Sequence, residues 1–517
     1  MLWLTIFYFL SRLPFLRACP VYYDSFEYTR IAQSITFTNF SSIITSSHQP
    51  IHTFYFLTIL FFKRIFLFVP TNISLVLISL FFGYFTLIVW YLFVKKLANQ
   101  KIAFWAGFLL LLFPYFFRAN TNILYESELL FLQISALFFF LKCLKENKLF
   151  LVLLAGLSWG LSISLFTGSL LIFPVFLLFY SLLKRSLGRS ANWRMKRLKV
   201  SLGGLSPFSL VPLVLFGLLV PLSLDLLFLK DLSIILTKYQ PHLSDIVSLQ
   251  GGILVFSFRI LRNIFLQSSA ILSLPTTIIL ILLLFVSTLH HLSSRSTFCR
   301  LSSIVWLIPP FFLMQFWHSG LYGRLGLFII FPVSLLLAEN LTKIWQKYLT
   351  CLAEVSLASL RSGPTGRRRW VFLILLVFLV LQFLSQHQTP PIYRFYSLIE
   401  NEPKEKIAII TSDSNRFLYQ KNNLTTLVVN PGIPYEIVEK FIYENQKSKR
   451  LVLIDSQAIT APYYQFDGDY YQLLSRNKKG IPALQSLLKK FKLEPFKTDP
   501  RNKNIFFKKI YFPKSKD

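Results

Sequence analysis

Acidic residues are what this chain has least of. Its 517 residues hold 23 Asp and Glu against 54 Lys and Arg, a formal net charge of +31. Such basicity can signal nucleic-acid binding, but the Lys and Arg lie mostly in short loops between apolar runs. A bias of positive charge toward cytoplasmic loops explains that pattern, so no nucleic-acid partner is expected. Cysteine is scarce as well. Cys19, Cys143, Cys299 and Cys351 show no CxxC or Cys/His metal spacing. On the topology derived below only Cys19 faces outward, so no disulfide is expected. Neither GxGxxG nor GxxxxGK[ST] occurs, which leaves a cytoplasmic nucleotide-sugar or ATP site unsupported. There is no fixed-period repeat and no inverted pattern of broken helices of the kind that marks secondary transporters. No small-residue cleavage site follows LWLTIFYFL, so the first helix is expected to be retained.

Apolar residues dominate instead. The chain is 54% hydrophobic and 17% aromatic, with 15% charged residues and a mean hydropathy of +0.55. A soluble interior cannot absorb that much apolar surface. Runs of about 17–25 apolar residues recur, the length that crosses roughly 30 Å of hydrocarbon. The expected class is an all-α polytopic membrane protein with membrane-lying helices beside the spans. Residues 1–17 give the first span, and 51–69 decide the topology because Lys63 and Arg64 interrupt that run. If 51–69 do not cross, the spans fall near 73–94, 102–118, 124–141, 149–165, 169–183, 206–228, 270–289, 301–317, 325–342 and 370–386, about eleven in all. The basic loops, among them Lys95–Lys96, Lys142–Lys148 and Arg367–Arg369, then share one side with a cytoplasmic N-terminus. Positive-inside bias selects that reading.

Between the spans, Tyr28, Ile31, Ala32 and Ile35 repeat at helical spacing in the first outer loop (18–72) and predict a short surface-lying helix. Residues 229–269, with Phe256, Ile260 and Ile264 on one stripe, predict another. Gly156 and Gly160 form a GxxxG pair suited to close helix packing. After Phe383 the composition changes. KIAIITSD (406–413), TLVVN (426–430) and LVLID (451–455) read as buried strands, and 434–446 as a helix. The expected division is a membrane catalytic domain, 1–386, and a C-terminal soluble α/β domain, 387–517, on the outer side by parity.

Parity also gathers the candidate chemistry on that side. Asp24 and Glu27 are three apart and share a helix face with Tyr28; alternatively, Glu27 completes a capping box begun by Asp24. Glu126 and Glu128 open the span 124–141. An ionisable residue at membrane depth is a functional candidate, although a helix N-terminus also favours acid. Two apart, the pair should turn at most one carboxylate toward a cavity. His48 and Pro50 share the first loop with Asp24. His318 and Arg324 stand at the mouth of a span, where Arg suits a phosphate or simply snorkels to the interface.

Taken in order over roughly residues 1–345, these features resemble the GT-C membrane glycosyltransferases of the protein-O-mannosyltransferase and aminoarabinose-transferase type. The matching residues are Asp24, Tyr28, Ile31 and Ala32 in the first loop; His48 and Pro50; Lys95-Lys96-Leu97 ahead of a span; Ser127-Glu128; and Tyr322, Arg324 and Pro332. Ser25 follows Asp24 where many relatives have an adjacent Glu, and His48-Gln49-Pro50 replaces their His-Pro-Pro. The resemblance implies a polyprenyl-phosphate-linked sugar donor and a hydroxyl acceptor on a lipid, glycan or protein. Asp24 would be the general base, and inversion at the anomeric carbon would follow. Glu128 would orient the acceptor or share a divalent metal, Mg²⁺ or Mn²⁺, with Asp24. Glu27, Tyr28, His48, His318 and Arg324 would bind substrate, with Lys63 a further cation for the phosphate. The implied location is the plasma (inner) membrane, among membrane lipids. A transporter or flippase of lipid-linked saccharides, or a ligase using diphosphate-linked donors, stands as the alternative.

Overall fold

The structure is a computed structural model. It describes residues 1–16, 23–45, 52–66, 68–146, 148–166, 169–170, 172–189, 210–230, 235, 306, 329–339, 341–342, 391–412, 418–420, 422–429, 433–460, 490–500 and 502–511. The chain divides into two compact units, 1–18 with 29–387 and 19–28 with 388–517.

The first unit is helical. Its described elements are α1 (Leu2–Arg12), α2 (Tyr23–Ser34, shared with the second unit), α3 (Phe40–Thr45), α4 (Thr53–Ile65), α5 (Thr71–Leu97), α6 (Gln100–Leu112), α7 (Pro114–Thr121), α8 (Glu126–Glu146), α9 (Leu149–Leu165), α10 (Ile172–Arg189) and α11 (Leu210–Leu229). A further apolar helix, α12, covers Ile329–Glu339. Among the described residues, α5, α8 and α11 are each long and apolar enough to cross a membrane. The expected span 102–118 is instead two helices, α6 and α7, bent by 68°. Pro114 opens α7; its ring has no N–H to donate and clashes with a continuing helix, so the break falls there. The expected spans 270–289 and 370–386 lie outside the described residues, and of 301–317 only residue 306 is described. The full set of about eleven is therefore not reached here. The surface-helix expectation for 229–269 lies almost wholly outside the described residues as well.

Burial of the apolar faces is tight where glycines allow it. A Cβ on Gly156 would meet the Phe216 Cβ at 2.7 Å, and one on Gly160 would meet the Phe216 carbonyl at 2.9 Å. The GxxxG pair thus seats α11 directly on the α9 backbone. Gly217 answers from the other side, where a Cβ would lie 2.2 Å from the Trp159 ring. At the end of α1, Arg12 is fully buried without a described carboxylate partner. Its Nη2 donates to the Leu111 carbonyl at 2.7 Å and its Nη1 to the Ser11 hydroxyl at 2.6 Å. The guanidinium carbon also lies 5.0 Å from the centroid of Tyr8 and 5.4 Å from that of Phe117. Arg12 therefore satisfies a carbonyl near the C-terminus of α6, just ahead of the bend, while ring faces offset its charge. At the far ends of α5 and α8, Lys96 Nζ pairs with Glu146 at 3.1 Å and Lys145 Nζ donates to the Lys96 carbonyl at 2.5 Å. Lysines collect at that end of the bundle.

The second unit carries α13 (Pro391–Ile399), β1 (Ile407–Ser412), β2 (Thr425–Val429), α14 (Tyr435–Lys447), β3 (Leu451–Asp455), a short α15 (Ser456–Thr460), β4 (Lys492–Asp499) and β5 (Asn502–Tyr511). The five strands run in the order β2-β1-β3-β5-β4. β1 is parallel to both β2 and β3, whereas β5 is antiparallel to β3 and to β4. Alternation along β1 divides its side chains between two cores. Ile410 packs with Val438 and Ile442 of α14, and Ile409 packs with Phe395 and Ile399 of α13. The three predicted strands and the predicted helix are present within a residue or so of their expected limits. β4 and β5 were not expected, because their lysines mask the pattern. Lys509 Nζ lies 4.9 Å from the Phe496 centroid and Lys508 Nζ lies 5.6 Å from that of Phe506, so long stems cover rings that water would otherwise meet.

Asp455 closes β3. Fully buried, it accepts the Thr411 hydroxyl from β1, the Ala458 N–H at 2.8 Å and the Tyr419 hydroxyl at 3.4 Å. Burial first, and the neighbouring Asp455 charge second, hold the Tyr419 hydroxyl well above its ordinary pKa, so it stays a donor. Two substitutions test the packing of the two units. Gly217→Ala forces the Trp159 ring aside and is expected to cost about 1–3 kcal/mol, read as a lower unfolding temperature of the purified protein in detergent. Asp455→Ala strands three donors and is expected to cost about 3 kcal/mol or more, read by hydrogen exchange at β1 and β3.

Candidate functional site

Several buried polar groups of the first unit converge on α4. Its apolar residues Phe56, Ile59 and Leu60 are buried, yet so are Thr53, Tyr55 and Thr58, and His52 just before it. Each of three helix ends supplies a partner. Thr58 Oγ1 donates to Glu128 Oε1 at the N-terminus of α8, at 2.6 Å. Thr53 Oγ1 donates to Asp225 Oδ1 near the C-terminus of α11, at 2.5 Å. His52 Nδ1 stands 2.5 Å from the Leu165 carbonyl at the C-terminus of α9. A carbonyl can only accept, so Nδ1 carries the proton there. The His52 ring stacks on Tyr125 with centroids 4.1 Å apart. Those three helix ends therefore meet at one end of the bundle, with α4 lying across them.

The other end of α4 holds α2. Lys63 Nζ donates to the Ala32 carbonyl at 2.6 Å and to that of Ile35 at 3.4 Å. Those are unsatisfied carbonyls at a helix C-terminus, where a cation is also favoured by the helix dipole. The expectation that Lys63 serves the donor phosphate thus meets a described alternative, the cap of α2. Residues Tyr28, Ile31, Ala32 and Ile35 are all buried, as the helical spacing predicted. Further along the first loop, Ser41 Oγ donates to the Leu229 carbonyl at 2.8 Å, so α3 also closes on the end of α11.

The α8 N-terminus is fixed from a second direction. Ser127 Oγ is 2.8 Å from both the Ala119 carbonyl and Asn120 Oδ1 of α7. A Cβ on Gly83 would lie 2.1 Å from that same Asn120 oxygen, so α5 approaches α7 only because residue 83 is glycine. Among the described residues, α4 and α7 both bond the start of α8. Glu126 and Glu128 are both buried, at 5% and 1% exposure. Glu128 Oε2 has no hydrogen-bond partner among the described residues. A carboxylate oxygen left bare in an apolar bundle is costly, which makes Glu128 a candidate to meet a ligand.

Of the residues singled out in the sequence, Glu128 is placed in this cluster. Asp24, Glu27 and Tyr28 sit in the first half of α2; the side chains of Asp24 and Glu27 lie outside the described residues. So do His48, His318 and Arg324. Sequence reasoning missed His52, Thr53, Tyr55, Thr58 and Asp225. Asp225 had a signal, a lone acid inside an apolar run of membrane length. The threonines had none, since a hydroxyl on a buried helix ordinarily bonds its own backbone. Among the described residues no group of three or more His, Cys, Asp or Glu is placed to hold a metal ion.

Residues 48–212 match the profile of a family described as dolichyl-phosphate-mannose-protein mannosyltransferase. No curated protein sequence matches the chain. Among solved structures, the oligosaccharyltransferase of Archaeoglobus fulgidus in its apo form superposes with a TM-score of 0.52 at 15% identity, over 99% of this chain and 74% of that one. The same archaeal enzyme in complex with Zn and sulfate gives 0.51 at 14% identity, over 98% and 72%. ArnT from Cupriavidus metallidurans in the apo state gives 0.50 at 13% identity, over 98% and 96%. This is the GT-C glycosyltransferase fold. The family match takes in α4, α8 and α9 with Thr58 and Glu128, whereas Asp225 lies beyond it.

Thr58 gives a direct test of the site's construction. Thr58→Val removes the hydroxyl that bonds Glu128 and leaves both carboxylate oxygens bare. A loss of about 1–3 kcal/mol or more is expected, and Thr58→Ser should recover most of it. Thermal unfolding of both variants in the same detergent measures the difference.

Proposed function

We propose that this protein transfers a sugar from a polyprenyl-phosphate donor to an acceptor hydroxyl at the outer face of the membrane, with Asp24 as general base and inversion at the anomeric carbon. The Asp24 carboxylate takes the hydroxyl proton as the acceptor oxygen attacks. The bond from the anomeric carbon to the phosphate oxygen breaks, and the polyprenyl phosphate leaves with the bonding electrons. One displacement needs one base at the acceptor, and such assistance is worth about 10²–10⁴ in rate.

Glu128 carries the reading. It is an acid at the start of a membrane-length helix, held through one oxygen by Thr58 and bare at the other. We assign it to orienting the acceptor, or to sharing a Mg²⁺ or Mn²⁺ with Asp24. Glu128 Oε2 fits a hard cation, which would offset charge on the departing phosphate. Arg324 and His318 are assigned to that phosphate, and Tyr28, Glu27 and His48 to the substrate around Asp24. With α2 capped by Lys63, the phosphate role passes to Arg324 first. The length of α4 supports the topology this needs. Its 13 residues span about 20 Å, short of the roughly 30 Å of hydrocarbon, which supports a first loop and an α8 N-terminus on the same side. The family profile over 48–212, whose description names a dolichyl-phosphate mannose donor, supports the class of donor. We assign the protein to the plasma (inner) membrane, with the N-terminus cytoplasmic and the C-terminal domain outside.

The test is transfer of radiolabelled sugar from polyprenyl-phosphate-linked donors by the purified protein in lipid. Asp24→Asn is expected to lower transfer by about 10²–10⁴ and Glu128→Gln by at least about tenfold, with folding retained. Undiminished turnover in Asp24→Asn would remove that residue from the mechanism. Movement of intact lipid-linked saccharide across the bilayer without any transfer would replace the enzyme by a flippase.

A further inference from the structure

We infer that Asp225 is a positioning residue for the proposed transfer, acting through Thr53 to hold α4 against Glu128. The inference rests on the reading of Glu128 given above. Asp225 is fully buried, in a helix whose other residues are apolar apart from Ser223. A carboxylate there is expensive, and replacing a buried polar pair by well-packed apolar residues is often neutral or stabilising. Stability alone therefore gives no reason for the pair. What it fixes is the place of α4.

The geometry shows how. Thr53 and Thr58 are five residues apart, about 7.5 Å along α4 and about 140° around it. They consequently reach different helices, Thr53 to Asp225 on α11 and Thr58 to Glu128 on α8. Each hydroxyl has one proton to give, so each is committed to its carboxylate. Between them lies α9, whose last turn presents the Leu165 carbonyl to His52. α4 is thus gripped at two azimuths by two acids across the end of an α8-α9-α11 layer. Freed from Asp225, its first turn loses one grip, and the Thr58–Glu128 bond must carry the orientation of Glu128 alone.

The experiment compares Asp225→Ala, Asp225→Asn, Thr53→Val and Thr53→Ser in the full-length protein in lipid. Two measurements are made: steady-state transfer from a polyprenyl-phosphate sugar, and hydrogen exchange at the amides of residues 57–62. Asp225→Ala and Thr53→Val are expected to lower kcat at least about tenfold with donor KM changed by less than about threefold. Asp225→Asn keeps an acceptor and Thr53→Ser keeps a donor, so both should stay within about threefold of the parent. The double variant Asp225→Ala/Thr53→Val should fall no further than the worse single one, because the two residues act as one unit. Exchange at 57–62 should rise in the Ala and Val variants and not in the Asn and Ser variants. Equal damage from Thr53→Ser and Thr53→Val, or a loss confined to KM, overturns the inference. Raised exchange with unchanged transfer also overturns it, since α4 would then be held for no catalytic purpose. Should the parent turn over no polyprenyl-phosphate sugar, the proposed function fails first. Exchange then decides the remaining claim alone: unchanged exchange in Asp225→Ala shows that Asp225 does not hold α4. Should Asp225→Ala not fold, the Thr53 pair carries the same comparison.

Discussion

A polar group inside an apolar bundle must be given hydrogen-bond partners or its burial is costly, and the architecture around α4 follows from that requirement. Two carboxylates at the ends of two long helices each receive a hydroxyl from α4. The supply of partners is what places a short helix across the bundle's end instead of leaving it to slide. The bonds at His52 and Lys63 use the same logic at helix termini, where backbone carbonyls are the groups in need. One 13-residue helix, with the His52 that precedes it, thereby bonds two carboxylates, a terminal carbonyl of α9 and the last carbonyls of α2.

The charge economy of the chain looks different in this light. More than half of its acidic residues lie in 388–517, the region that carries the five-stranded sheet. Those that remain among the described helices of the first unit are mostly withdrawn from water: Glu126, Glu128, Asp225 and Glu339 are buried, and Glu146 sits with Lys96 and Lys148. Scarcity of acid is therefore not dilution. Among the described residues, Glu128, Asp225 and Glu146 each have a defined partner.

Much of the architecture could be read from residue order, because burial of apolar faces leaves periodic traces. The helix over Tyr28–Ile35, the close approach at Gly156 and Gly160, and the first three strands of the sheet were legible on that ground. The break at Pro114 was equally present in the sequence, but the continuous apolar run around it concealed the change of direction. β4 and β5 were hidden by lysines whose stems behave as apolar surface. The candidate site was half legible. Glu128 announced itself as an acid at membrane depth, and Asp225 would have done so by the same rule. Thr53 and Thr58 gave no trace, since a threonine that bonds a distant carboxylate looks in sequence like one that bonds its own helix. Partnership across 70 and 172 positions of chain is a property of the fold and is not written locally.

The glycine contact between α9 and α11 has a geometric corollary. The buried residues of α11 are Leu213, Gly217, Pro221, Asp225 and Leu229, one every fourth position. Four residues turn a helix by about 400°, so this stripe winds slowly around the axis, by about 40° at each step. Gly217 admits no side chain against Trp159, and Gly160 none against Phe216 and Val220. The two contacts act as a keyway on a shaft: α11 seats at one rotation, and that rotation sets the bearing of Asp225 two turns further along. The angle at which an acid meets Thr53 is thus determined by residues that carry no functional group at all.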